Sequence, residues 1–224
     1  MADEVPFPFA ADDEALANAI GEFVTEHIGP VTNVFHEIQS DIVRVDLLVV
    51  GPRAERPYTT LVTCGMSGLP MNVPIIDPED VGRLPELRFA ELLLCLPPDW
   101  PLTVEAFQQE EHYWPVRWLK KIARLPHLHQ AWLGVGHTIP NGDPARPFAA
   151  NTSFCCWLVE HPVLLPAEAL KLRLPNRHIN FYSLVPLYEA EMNVKVNRGM
   201  PTLTQALDAH HVSELIDLQR ASVV

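Results

Sequence analysis

No two cysteines in this chain stand in a C-x-x-C pair. The four are Cys64, Cys95, Cys155 and Cys156, and the last two are adjacent, so on a strand they point to opposite faces. That spacing gives neither a zinc ribbon nor a disulfide framework. No apolar run approaches the ~20 residues that a membrane span needs. The opening stretch, MADEVPFPFAADDE, is acidic and proline-bearing, without the basic start and apolar core of a signal peptide. These features lead to the expectation of a reduced, cytoplasmic protein. Basic residues are scarce, 16 against 28 acidic ones, for a formal net charge of -12. This balance argues against nucleic acid or an anionic membrane surface as a partner, since both reward a basic patch. Neither G-x-x-x-x-G-K-[ST] nor G-x-G-x-x-G occurs; GVGHT carries only the first half of the latter. No cofactor is expected.

What the chain does have is an ordinary globular composition, 48% hydrophobic and 20% charged over 224 residues. That length suits one domain over residues 1–224, with 1–11 expected to be a flexible N-terminal segment. The 22 prolines punctuate element ends. DDEALANAIGEFVTEHIG places Leu16, Ile20, Phe23 and Val24 on one stripe and stops at Gly29-Pro30, which predicts a helix. NVFHEI and IVRVDLLVV predict a hairpin with one face buried and one partly wet. YTTLVTC is a third strand, Met71 to Pro85 an acidic, proline-rich loop, and ELRFAELLLCL a central strand. A helix is predicted from about Trp114 to Leu125. SFCCWLVEH, ALKLRL and HINFYSLVPL read as further strands. YEAEMNVKVNRG and PTLTQALDAHH read as helices, with SEL opening a last short turn. This segregated order predicts an α+β fold, a largely antiparallel or mixed central sheet with helices packed on it.

Five features invite a chemical reading. Cys64 stands between a strand and the glycine-rich CGMSGLP, like a nucleophile. A reactive thiol needs a helix N-terminus or an imidazole to lower its pKa, and G-x-S-x-G is missed by one position. Burial as a strand-end residue is the favoured reading. His127 and His129 form H-x-H but lack the further ligands of a zinc site. His137 and Asp143 share HTIPNGDP, which is also a plain Asn-Gly turn. Glu91 interrupts an apolar strand, and a charge there must be paired; an ion pair with Arg44 or Arg88 is expected. The acidic stretches at Asp77, Glu79 and Asp80 and at Glu110, Glu111 and Tyr113, with Asp143, are candidate partner-binding residues. Negative patches of this kind steer encounters with basic proteins. No residue is assigned as catalytic or as a metal ligand.

Taken in order, YTTLVTCGMSGLPMNVP, ELRFAELLLCLPPDW, WPVRWLKKIARLP, WLGVGHTIPNGDP and HINFYSLVPLYEAEMNVKVNRG resemble the bacterial suppressor-of-fused domain proteins, from about Val34 to Val223. The resemblance implies a compact domain that binds protein partners and carries no established enzymatic motif. The animal relative binds zinc-finger transcription factors with the help of a second domain, so that role is not expected here. The bacterial members suggest an immunity or adaptor protein that occludes a partner such as a basic polymorphic toxin. Two alternatives stay open: a hydrolase-like enzyme using Cys64 and His137, and a metal site built on His127 and His129.

Overall fold

The computed structural model describes residues 14–37, 42–75 and 80–224; the expected flexible segment 1–11 lies outside them. The first helix, α1 (Glu14–His27), buries Leu16, Ile20, Phe23 and Val24, and the chain then turns at Gly29 with φ 148°. Three strands follow as an antiparallel meander: β1 (Val31–Phe35), β2 (Asp46–Val50) and β3 (Thr59–Cys64). A short helix, α2 (Asp80–Leu87), leads into β4 (Phe89–Leu96), and the long α3 (Glu110–Leu128) comes next. The remaining elements are β5 (Thr138–Pro140), β6 (Cys156–Glu160), β7 (Lys171–Leu174), β8 (Arg177–Leu187), α4 (Glu189–Arg198) and α5 (Met200–Ala209).

The strands form one mixed sheet in the order β1-β2-β3-β4-β8-β6-β5, with β7 paired to β8. Only β4 and β8 run parallel among the described pairs. This is the expected α+β architecture. The period-2 alternation sorts side chains onto two faces. Leu47, Leu61, Leu92, Leu94, Trp157 and Leu184 pack against Trp114, Trp118, Leu119 and Ile122 of α3. On the opposite face, Leu48, Val62, Leu93 and Phe181 meet α1, while Leu158, Val185 and Leu187 meet Leu203 and Leu207 of α5. The α3 face is aromatic at its centre: Phe148 stacks at 5.4 Å on Trp114 and at 5.0 Å on Trp157.

The hairpin face expected to be partly wet is so: Arg44 is exposed and Asp46 half-buried, while α1 covers Leu48 and Val50 further along. Three local expectations need correction. The predicted loop from Met71 to Pro85 contains most of α2, with Pro85 inside the helix. The predicted helix at Trp114 begins earlier, at Glu110, and includes Pro115. Proline has no N–H for the carbonyl four residues back, here that of Glu111, and Asn151 Nδ2 donates to that carbonyl instead at 3.0 Å. The last short turn expected at Ser213–Leu215 is instead a bend at Glu214 followed by an isolated bridge at Leu215. β4 pairs with β8 only as far as Leu93–Ser183, and the C-terminal segment takes the next place: Cys95 N donates to Glu214 O and Ile216 N to Cys95 O, both at 2.9 Å.

Candidate functional site

The loop that follows β3 folds around a carboxylate. Gly65 has φ 129°, and a Cβ there would lie 2.1 Å from the Arg44 carbonyl oxygen, so only glycine fits. This turn directs a fan of donors at the Glu91 side chain on β4. Gly65 N and Ser67 N donate to Oε1 at 3.0 Å each, and Ser67 Oγ donates to the same atom at 2.7 Å. Thr63 Oγ donates to Oε2 at 2.5 Å and accepts from Leu92 N at 2.8 Å. The loop's carbonyls are held too: His127 Nε2 donates to Met66 O at 2.9 Å and Arg177 Nη1 to Ser67 O at 3.0 Å.

Glu91 is fully buried. Burial raises its pKa and outweighs the hydroxyl and backbone donors that pull it down. The expected ion pair with Arg44 or Arg88 is not what neutralises it. Arg44 Nε and Nη2 instead donate to Asp46, each at 3.2 Å, and Arg88 is exposed. Sequence reasoning flagged Glu91 but named the wrong partners, because the real ones are backbone N–H groups and hydroxyls of a loop.

The geometry separates the groups of the hydrolase-like alternative. Cys64 is buried on the α1 face, its Sγ 3.9 Å from Ala17 O. Burial and the neighbouring Glu91 push its pKa up, away from a thiolate. His137 lies beside β5, edge-on to Trp132 at 4.5 Å, and burial, then Lys195, lowers its pKa. Four strand spacings separate β3 from β5, about 19 Å at ~4.8 Å each, so thiol and imidazole do not meet. His127 directs Nε2 at a carbonyl, while His129 is exposed. Among the described residues, no three His, Cys, Asp or Glu side chains stand together as a metal would need.

The candidate partner-binding residues fall in different settings. Asp77 and Glu79 lie outside the described residues, and Asp80 opens α2. Glu110 is exposed and receives Arg117 Nε at 3.0 Å, with Nη2 bonded to the same oxygen. Glu111 and Tyr113 are half-buried, Tyr113 against Phe107 at 5.3 Å. Asp143 is exposed in the turn that Asn141 closes by donating to Arg146 O and Pro147 O, both at 2.9 Å. No hydrogen bond or ion pair among the described residues joins Asp143 to the start of α3.

Beside that first turn of α3 lies a groove of about 490 Å³. One wall is the Pro97–Pro101 turn, fastened by Trp100 Nε1, which donates to His112 O at 3.0 Å. The other is the C-terminal segment from Leu215 to Gln219. Two exposed carboxylates, Asp99 and Asp217, line it, and none of its lining residues is Lys or Arg. The sequence reading missed this groove. The prolines of PPDWP are a turn signal, but nothing local places residues 215–219 against it.

Behind the groove the C-terminal segment is anchored. Arg220 Nη1 and Nη2 donate to Glu191 Oε1 and Oε2 at 2.6 and 2.8 Å, and Nη2 also donates to Pro186 O at 2.7 Å. Glu191 is fully buried, and it also accepts from Tyr188 N at 2.9 Å and Val223 N at 3.1 Å. Glu214, also fully buried, accepts from Val163 N at 3.2 Å and Leu164 N at 3.0 Å.

Comparison with known proteins places these features in a family. Residues 39–221 match the family model described as suppressor of fused protein. No curated protein matches the chain in sequence. A suppressor-of-fused homolog from Neisseria gonorrhoeae superposes with a TM-score of 0.60 at 17% identity, over 95% of this chain and 96% of that one. A chain of the Sufu–Fu complex gives a TM-score of 0.58 at 14% identity, over 94% of this chain and 91% of that one. Drosophila Suppressor of Fused gives 0.53 at 15% identity, over 93% of this chain but only 50% of the fly protein.

Proposed function

The chain belongs to the suppressor of fused family, and from that premise we propose that it acts by binding a protein partner rather than by turning over a substrate. One observation carries this reading. The side chains that could have done chemistry are engaged in holding the fold, while an acidic groove beside α3 is left open. Ser67, Thr63 and His127 are tied into the buried knot around Glu91, and Cys64 and His137 sit four strand spacings apart. A structural relative was solved in complex with a protein, Fu, which supports partner binding as the mode of action.

The finer reading is an immunity or adaptor role in the cytoplasm, with a basic partner such as a polymorphic toxin. The formal net charge of -12 supports it. An acidic surface raises the encounter rate with a basic protein and can cover an active site that binds phosphate. The test is co-expression of the chain with the products of adjacent genes. Stable co-purification, weakened by salt, together with rescue from a toxic neighbour is expected. A neighbour whose toxicity persists and that fails to co-purify would overturn the immunity role.

A further inference from the structure

We propose that the groove between the Pro97–Pro101 turn and the C-terminal segment is the partner-docking site. Its occupant is an extended segment of a basic protein, with Lys or Arg flanking an apolar side chain. The inference rests on the protein-binding reading above and assigns it a place and a chemistry.

The first argument is charge. Asp99 and Asp217 are exposed in the groove, and neither forms an ion pair among the described residues. The nearest arginine in sequence, Arg220, is directed at the buried Glu191 and adds no free cation. The groove's field is therefore negative, and a cationic side chain docks there without displacing another.

The second argument is the backbone. The C-terminal segment enters the sheet through the parallel bridge of Leu215 with Cys95. Continuing that ladder would need an N–H at residue 97, which is proline. The pairing stops there, and the segment runs on unpaired. Among the described residues, the Leu218 N–H takes no hydrogen-bond partner. Leu218 lines the groove. An extended peptide laid alongside can bond to it, the means by which strand addition supplies affinity independent of side chains.

The third argument is shape and rigidity. Leu215, Leu218 and Trp100 supply apolar surface, and about 490 Å³ lies in the range of sites that enclose a ligand. Pro97, Pro98 and Pro101 stiffen one wall, and Arg220 clamps the end of the other. A preorganised groove loses little entropy on binding.

The test is to pan a random-peptide display library on the full-length protein and measure the best synthetic peptide by fluorescence polarisation at low ionic strength. Enriched sequences are expected to carry two or more Lys or Arg around an aliphatic or aromatic residue. Asp99→Lys with Asp217→Lys should weaken binding by about tenfold or more, with little change in thermal unfolding, because both sites are exposed and the hydrogen bond lost is the surface one from Gln219 N to Asp217 Oδ1 at 2.8 Å. The proposal is overturned by enrichment without a basic bias, by a double variant that binds within about twofold of wild type, or by no enrichment at all. The broader reading is tested separately by co-purification. A folded partner retained equally well by the double variant keeps protein binding and removes this groove from it.

Discussion

Replacing Glu91 offers the sharpest test of how this domain holds its central loop. Glu91→Ala removes the acceptor of four hydrogen bonds, two from hydroxyls and two from the fixed N–H groups of Gly65 and Ser67. The hydroxyls can rotate toward other acceptors, but the backbone donors cannot. Each buried donor left unmade costs about 1–3 kcal/mol, so the pair costs about 2–6 kcal/mol before any cavity is counted. Set against a total stability of about 5–15 kcal/mol, that is a large fraction. Glu91→Gln keeps the shape and one acceptor oxygen, and it inverts only the contact with Thr63, at a cost of about 1–2 kcal/mol.

The two variants also differ in pH dependence. Burial raises the folded-state pKa of Glu91, so the folded protein holds that proton more tightly than the unfolded chain. Its contribution is fully present below the unfolded value of about 4.3 and is lost as pH rises through the folded value. Glutamine has no such loss. The stability gap between wild type and Glu91→Gln should therefore be widest at acidic pH and shrink as pH rises. Glu214, whose pKa burial also raises, acts alike in both proteins and cancels in the difference. Urea unfolding across the acid-to-alkaline range reads this directly. A gap independent of pH, or a Glu91→Ala cost below about 1 kcal/mol, would refute the reasoning.

Gly65→Ala should cost more than about 3 kcal/mol, because the added methyl meets the Arg44 carbonyl at 2.1 Å and φ is 129°. Gly21→Ala, in α1 with nothing within 4 Å of the new methyl, should instead add about 0.5–1 kcal/mol; thermal unfolding of both variants checks the contrast. Arg220→Met strips the cation from Glu191, which is 0% exposed, and should cost about 3–5 kcal/mol. Limited proteolysis should then release the C-terminal segment faster than in wild type, and equal rates would show that Arg220 is not its anchor.

Local pattern was enough for most of the elements. The stripe of Leu16, Ile20, Phe23 and Val24 predicts α1, and the apolar runs at Thr59–Cys64 and Phe89–Leu96 predict β3 and β4. Pattern failed where a distant element changed the environment. Pro115 looks like a helix start until Asn151 is found supplying the missing donor. The site followed the same rule. Glu91 was conspicuous as a charge in an apolar strand, yet charge pairing suggested arginine, whereas the loop after β3 supplied neutral donors.

The sequence by itself determined the α+β class, the acidic balance and the glycine-marked stop after α1, since these depend on periodicity, composition and short-range backbone sterics. Tertiary structure alone decided that β4 and β8 lie parallel at the centre of the sheet, that Ser67 and Thr63 face Glu91, and that residues 215–219 come to rest against the Pro97–Pro101 turn. Those pairings join positions tens to more than a hundred residues apart. They form because burying both faces of the sheet, and finding a partner for each buried polar group, leaves the chain few other arrangements.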